Sequence, residues 1–247
     1  MIWWQWLLAY VGAFLIGLSK TGVAGIGILA VAIFASVLPA RESVGVVLVT
    51  IIAGDIVAVT AYRREVSWTH LWRLFPWTAV GVVVGALALN RIADAGVRRL
   101  IGGILLGLIA VHLLRRFQRN KALDGAADYE QRRWLVGITG LAAGFTTMVA
   151  NAAGPIMIMY LLALRLPKLF FLGTAAWFFL VLNLFKVPFS VSLGLITPAA
   201  LSMSVRLIPF AILGAWGGRR MVHLIDQRLF EQLALGLTFI AGVRLLW

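Results

Sequence analysis

The chain has 247 residues, of which 62% are hydrophobic and 13% charged, with a mean hydropathy of +0.98. Soluble domains carry about 25% charged residues, so a soluble globular fold is excluded and the chain reads as a polytopic membrane protein. Its net charge of +13 comes from 22 Lys and Arg set mostly in short runs between apolar segments, as loop charges of a membrane protein are, so no nucleic-acid partner is expected.

The N-terminus, with Trp3, Trp4 and Trp6, lacks a basic region and a small-residue cleavage pattern. It predicts a retained first helix with interfacial tryptophans rather than a signal peptide. About eight helical segments follow from the apolar pattern. Six have ordinary spanning length: 43–62, 69–89, 97–117, 169–186, 200–218 and 229–246. Two are too long for one crossing, 3–38 and 134–164. At about 1.5 Å per residue, straight helices of that length would overrun a hydrocarbon core of roughly 30 Å.

Both long segments carry a breaker in the middle, Ser19 to Gly27 in the first and Thr146 to Pro155 in the second. Glycine, proline and small polar residues open a helix and can satisfy the freed backbone groups. Two discontinuous helices, folded as re-entrant hairpins, are therefore expected as the first and fifth segments.

The two segments stand at matching places in an internal repeat. Leu38-Pro39 aligns with Leu166-Pro167 and Gly45 with Gly173 at an offset of 128. Arg73-Leu74-Phe75-Pro76 aligns with Arg206-Leu207-Ile208-Pro209, and Gly85 and Gly103 with Gly218 and Gly236, at an offset of 133. With hairpins, 14 basic residues fall on one side of the membrane and 6 on the other; with eight plain spans, the split is 11 to 9. The positive-inside rule favours the hairpins and puts the 115–133 loop in the cytoplasm. Three crossings plus a hairpin per half turn the second half upside down. The expected fold is all-α, with two inverted repeats at 1–117 and 132–247 joined by a cytoplasmic linker at 118–131. Such repeats with paired broken helices point to a secondary transporter.

Lys20 is the most informative residue. A mid-membrane ammonium costs a few kcal/mol unless paired or hydrated, and Thr21 and Gly22 follow it at the start of a second half-helix, where amides and the helix dipole favour an anion. Lys20 either coordinates an anion or forms a structural ion pair, with Asp55 the obvious partner. Thr146, Thr147, Asn151 and Gly154 supply donors and close backbone approach at the opposing half-helix start, or simply satisfy the break. Asp55 matches Asn183 in the repeat; it carries a proton or neutralises Lys20. Lys186 lies near a predicted helix end, where it snorkels or takes part in coupling. His70, His112 and His223 stand at segment ends, and Met148, Met157 and Met159 read as packing. No haem pair, metal-binding cluster, nucleophile elbow or phosphate loop is visible, so neither a cofactor, a metal nor enzyme chemistry is expected.

Taken together, Gly17-Leu18-Ser19-Lys20-Thr21-Gly22 with Gly25 and Gly27, Leu38-Pro39-Ala40-Arg41, Gly54-Asp55, Gly144 to Pro155 with Tyr160-Leu161-Leu162, Gly173-Thr174-Ala175-Ala176-Trp177 and Asn183 to Pro188 resemble the TauE/SafE (sulfite exporter) family of membrane anion transporters. The resemblance covers nearly the whole chain. It implies export of sulfite, sulfoacetate or a related organosulfonate across a bacterial plasma membrane, with Lys20, Thr21, Gly22, Asn151 and Gly154 in the site. A passive anion channel and a non-transport assembly or insertase factor are the alternatives. The partners expected are a small anion and the lipid bilayer, with the working unit a monomer or a homodimer.

Overall fold

A computed structural model describes residues 1–21, 26–118, 133–164, 166–221, 236, 238–240 and 242–247. The described residues form helices α1 (Trp3–Thr21), α2 (Gly27–Val37), α3 (Ala40–Tyr62), α4 (Trp68–Arg91), α5 (Asp94–Gln118), α6 (Arg133–Ala150), α7 (Gly154–Ala163), α8 (Lys168–Ser192) and α9 (Pro198–Met221). Residues 236, 238–240 and 242–246 are helical as well, and there is no strand among the described residues. Among the described residues, four helices, α3, α4, α8 and α9, are long and apolar enough to cross a membrane. The expected linker at 118–131 lies outside the described residues except for Gln118, as does half of the last predicted segment.

Each over-long segment is two helices, one long and one short. The 19 residues of α1 reach about 28 Å and the 11 of α2 about 16 Å at 1.5 Å per residue. The second pair repeats this with 18 and 10 residues. Along the first pair, Gly12 lies against Phe34 and Gly27 against Ser19, so position falls along α2 as it rises along α1. The chain turns back on itself, as a hairpin. The aligned prolines do the same job in both halves: Pro39 and Pro167, at φ −52° and −53°, stand just before α3 and α8, where a fixed φ suits a helix start.

The two halves are inverted relative to each other, and α3 and α8 show it. Gly45 near the start of α3 packs on the Leu195 carbonyl just past the end of α8, while Gly173 near the start of α8 packs on the carbonyls of Tyr62 and Glu65 at the end of α3. Two equivalent helices thus run antiparallel. At their crossing, Asn183 Nδ2 donates to Asp55 Oδ2 at 2.6 Å, so equivalent positions touch each other.

The remaining long contacts exchange partners between halves. A methyl group at Gly17 of α1 would overlap the Ala211 carbonyl and Ala215 amide of α9; one at Gly144 of α6 would overlap the Thr78 carbonyl and Val82 amide of α4. Gly214 meets Phe14 and Leu18 as Gly81 meets Leu141 and Phe145. These contacts correspond at offsets of 127 for α1 against α6 and 133 for α4 against α9. Glycine is required there because lipid tails solvate apolar side chains as well as protein does, so helix association in the membrane depends on backbones coming close. Away from these seams, Val80, Val84 and Leu87 of α4 and Ile212, Leu213 and Trp216 of α9 are exposed, as a lipid-facing surface is.

One boundary differs from expectation. The segment predicted to stop at 186 continues through Pro188 to Ser192. The missing proline amide costs one helix bond, which a membrane helix tolerates among buried neighbours.

Candidate functional site

The helix breaks sit towards opposite ends of α3. Tyr62, the last residue of α3, donates its hydroxyl to the Thr21 carbonyl at 3.1 Å. At the other end, Asn151 Nδ2 donates to the Val44 carbonyl at 3.0 Å. Gly27 and Gly154, the first residues of the two half-helices, both line a cavity of about 110 Å³ that also takes in Ser19, Lys20, Thr147, Asn151, Phe179 and Asn183. The half-helix starts therefore share one cavity without facing each other directly.

Between the breaks runs an unbroken chain of polar groups. Lys20 Nζ lies 2.8 Å from Asp55 Oδ1, with the lysine side chain 12% exposed and the aspartate fully buried. Gly54 lies beside the lysine stem, where a Cβ would stand in ordinary contact, 3.4 Å from Lys20 Cγ. Phe179 lies under the ammonium, its ring centroid 4.2 Å away, a cation–π contact that partly replaces hydration. Asp55 passes to Asn183, and Asn183 Oδ1 accepts from Lys186 Nζ at 3.2 Å. Lys186 also donates to Asn151 Oδ1 at 2.6 Å and Thr147 Oγ1 at 3.0 Å.

Lys186 is fully buried. This corrects the expectation that it snorkels from a helix end: α8 runs on beyond it, and its stem lies inside the bundle. Its three bonds all go to neutral oxygens. Both amides are oriented by their other bonds, because Asn183 spends its nitrogen on Asp55 and Asn151 spends its nitrogen on Val44, so each turns its oxygen to the ammonium. An ammonium has three donors and no lone pair, and here it meets three acceptors. Asn151 holds this position at φ +50°, a left-handed conformation that asparagine adopts more readily than most residues.

The other predicted residues divide. Thr147 and Asn151 join the chain, and Gly154 joins the cavity lining. Thr146 does not: its hydroxyl turns back to the Ala142 carbonyl at 2.8 Å, so it is removed from the site. Thr21 lines the cavity, but it ends α1 rather than starting the second half-helix, its hydroxyl donates to the Ala215 carbonyl of α9, and its own carbonyl accepts from Tyr62. Gly22 lies outside the described residues, as do His223 and the His112 side chain. His70 is half-buried near the start of α4, bonded through Nδ1 to Ser67 Oγ at 2.6 Å. Sequence reasoning missed Phe179. The signal was present in α8, where Ala175, Phe179, Asn183, Lys186 and Ser190 recur at helical spacing, and Asn183, Lys186 and Ser190 are all buried.

The family described as Sulfite exporter TauE/SafE matches residues 9–245 of the chain. No curated protein and no solved structure matches it.

Proposed function

The chain belongs to the sulfite exporter TauE/SafE family, and we propose that it exports sulfite, sulfoacetate or a related organosulfonate across a bacterial plasma membrane by alternating access. The observation that carries this reading is the excess of basic over acidic side chains in the buried chain, two lysines against one aspartate. Buried charge is costly unless compensated, and an anion in the adjoining cavity supplies the compensation. The amides at the starts of α2 and α7 add partial positive charge at its two ends.

In this mechanism the anion enters the cavity beside Lys20, the one charged residue among the described residues of its lining, and shares the ammonium with Asp55. Gly154 binds through its backbone amide, and Thr147 and Asn151 present side chains at the far end. Asp55 and Asn183 keep the two lysines apart and, with Lys186, couple the anion to a proton or ion gradient. The repeats at 1–117 and 132–247, joined by a cytoplasmic linker at 118–131, exchange conformations about the α3–α8 crossing. Their equivalent seams support this, because a conformation open to one side has a counterpart open to the other.

Anion flux in proteoliposomes tests the proposal, with sulfite, sulfoacetate, sulfate, acetate and chloride compared with and without a pH gradient. Saturable, gradient-sensitive flux of a sulfur oxyanion is expected, falling to the level of protein-free vesicles in Lys20→Gln. Normal flux in that variant sinks the site. Currents linear in concentration favour a channel, and no flux from folded protein favours a non-transport role.

A further inference from the structure

The hydrogen-bonded chain also sets the charge of the substrate. Asp55 is ionised, since it sits 2.8 Å from Lys20 Nζ and accepts from Asn183 as well. Lys186 Nζ lies within hydrogen-bond distance of three oxygens, two of them amide oxygens turned towards it by their own bonds to Asp55 and Val44, a donor geometry that suits an ammonium. The chain then carries two positive charges and one negative. Among the described residues, the charged groups acting on Lys186 are Lys20 of α1 and Asp55 of α3; the second helix break contributes the neutral Thr147 and Asn151. One charge is left for a ligand to balance.

We propose that the cavity takes its substrate as a monoanion, bisulfite or a monosulfonate, and discriminates against dianions. This rests on export of a sulfur oxyanion as proposed above and narrows it. A monoanion brings the cluster to neutrality. A dianion such as sulfite, or sulfoacetate with both its acids ionised, leaves a buried negative charge uncompensated, and in a low-dielectric site that is opposed as strongly as the first charge is favoured.

The test uses wild-type protein in proteoliposomes, with pH equal inside and outside and varied across the range in which bisulfite loses its proton. The probes are methanesulfonate, a monoanion throughout, together with sulfite and sulfoacetate, each at fixed total concentration below saturation. Methanesulfonate flux should stay level. Sulfite flux should fall about tenfold for each pH unit above the bisulfite transition, following the monoanion fraction. Sulfoacetate should be carried at least about tenfold more slowly than methanesulfonate at neutral pH, a discrimination of about 1.4 kcal/mol.

Sulfite flux that holds or rises as the dianion forms overturns the charge count, as does sulfoacetate carried faster than methanesulfonate. A fall in methanesulfonate parallel to that of sulfite overturns it too, because the pH response then belongs to the protein. Absence of flux for all three probes overturns the export reading itself, a different failure. In Asp55→Asn the cluster gains one positive charge, and the sulfoacetate to methanesulfonate ratio should rise by about tenfold; an unchanged ratio in folded variant protein counts against the proposal.

Discussion

At the first helix break the ammonium stands on the broken helix itself, Lys20 of α1, and faces a carboxylate at 2.8 Å. At the second it comes from a neighbouring helix, Lys186 of α8, and faces three neutral oxygens. By position in the repeat, Lys20 corresponds to Thr147, Asp55 to Asn183, and Lys186 to Ala58. The seams that hold the two breaks in place nevertheless match contact for contact. Packing keeps the two-fold relation and the polar residues abandon it. A symmetric scaffold lets the halves exchange shapes, whereas an asymmetric charge pattern lets the two ends of the cavity treat an anion differently.

The largest effects should come from the symmetric part. Gly17→Val and Gly144→Val each push a branched side chain into the backbone of the facing helix, where neither partner has a flexible end to move aside. Overpacking of this kind costs about 1–3 kcal/mol and sometimes more, and both variants should lose comparable thermal stability in detergent. A large loss in one and none in the other would break the equivalence of the seams.

An effect of comparable size is expected at the second break. Asn151→Ala removes the bonds to Lys186 and Val44 and leaves a buried ammonium short of an acceptor, at about 1–3 kcal/mol. It also places alanine at φ +50°, adding about 1–2 kcal/mol. Asn151→Gly removes the same bonds without the backbone cost. Both should slow flux, by about tenfold for a loss of about 1.4 kcal/mol, with only the alanine variant carrying the extra loss of stability. Equal stability in the two would mean that the left-handed backbone is not held in the folded protein.

Much of this was legible beforehand, for physical reasons. Length against bilayer thickness exposed the two broken helices, and the Leu-Pro and R-x-x-P repeats located the halves. Lys20 and Asp55 stood out because charge within an apolar run has few explanations. Lys186 was harder to read. It closes the apolar run predicted at 169–186, and sequence does not show that buried neighbours let the helix run on through Pro188. The glycine seams were also invisible as seams, since a glycine in an apolar run looks alike whether it faces lipid or a carbonyl. Thr146 and Thr147, adjacent and chemically identical, could be separated only by knowing which side of α6 faces α8.

That last pair gives the finest test. Thr147 is 3% exposed and its hydroxyl accepts from Lys186, so Thr147→Val keeps the shape of the side chain while taking one of three oxygens from the ammonium. Two acceptors remain, so the loss falls at the low end of the cost of an unmet buried donor, about 1 kcal/mol, a several-fold drop in flux. Thr146 bonds only within its own helix, an interaction that is close to neutral for stability. Thr146→Val should change flux and melting temperature by amounts near the error of measurement, about 0.5 kcal/mol or less. Were the two variants to reverse, the hydroxyl facing the ammonium would be the other one. The chain of polar groups linking the two breaks would then have to pass through Asn151 alone.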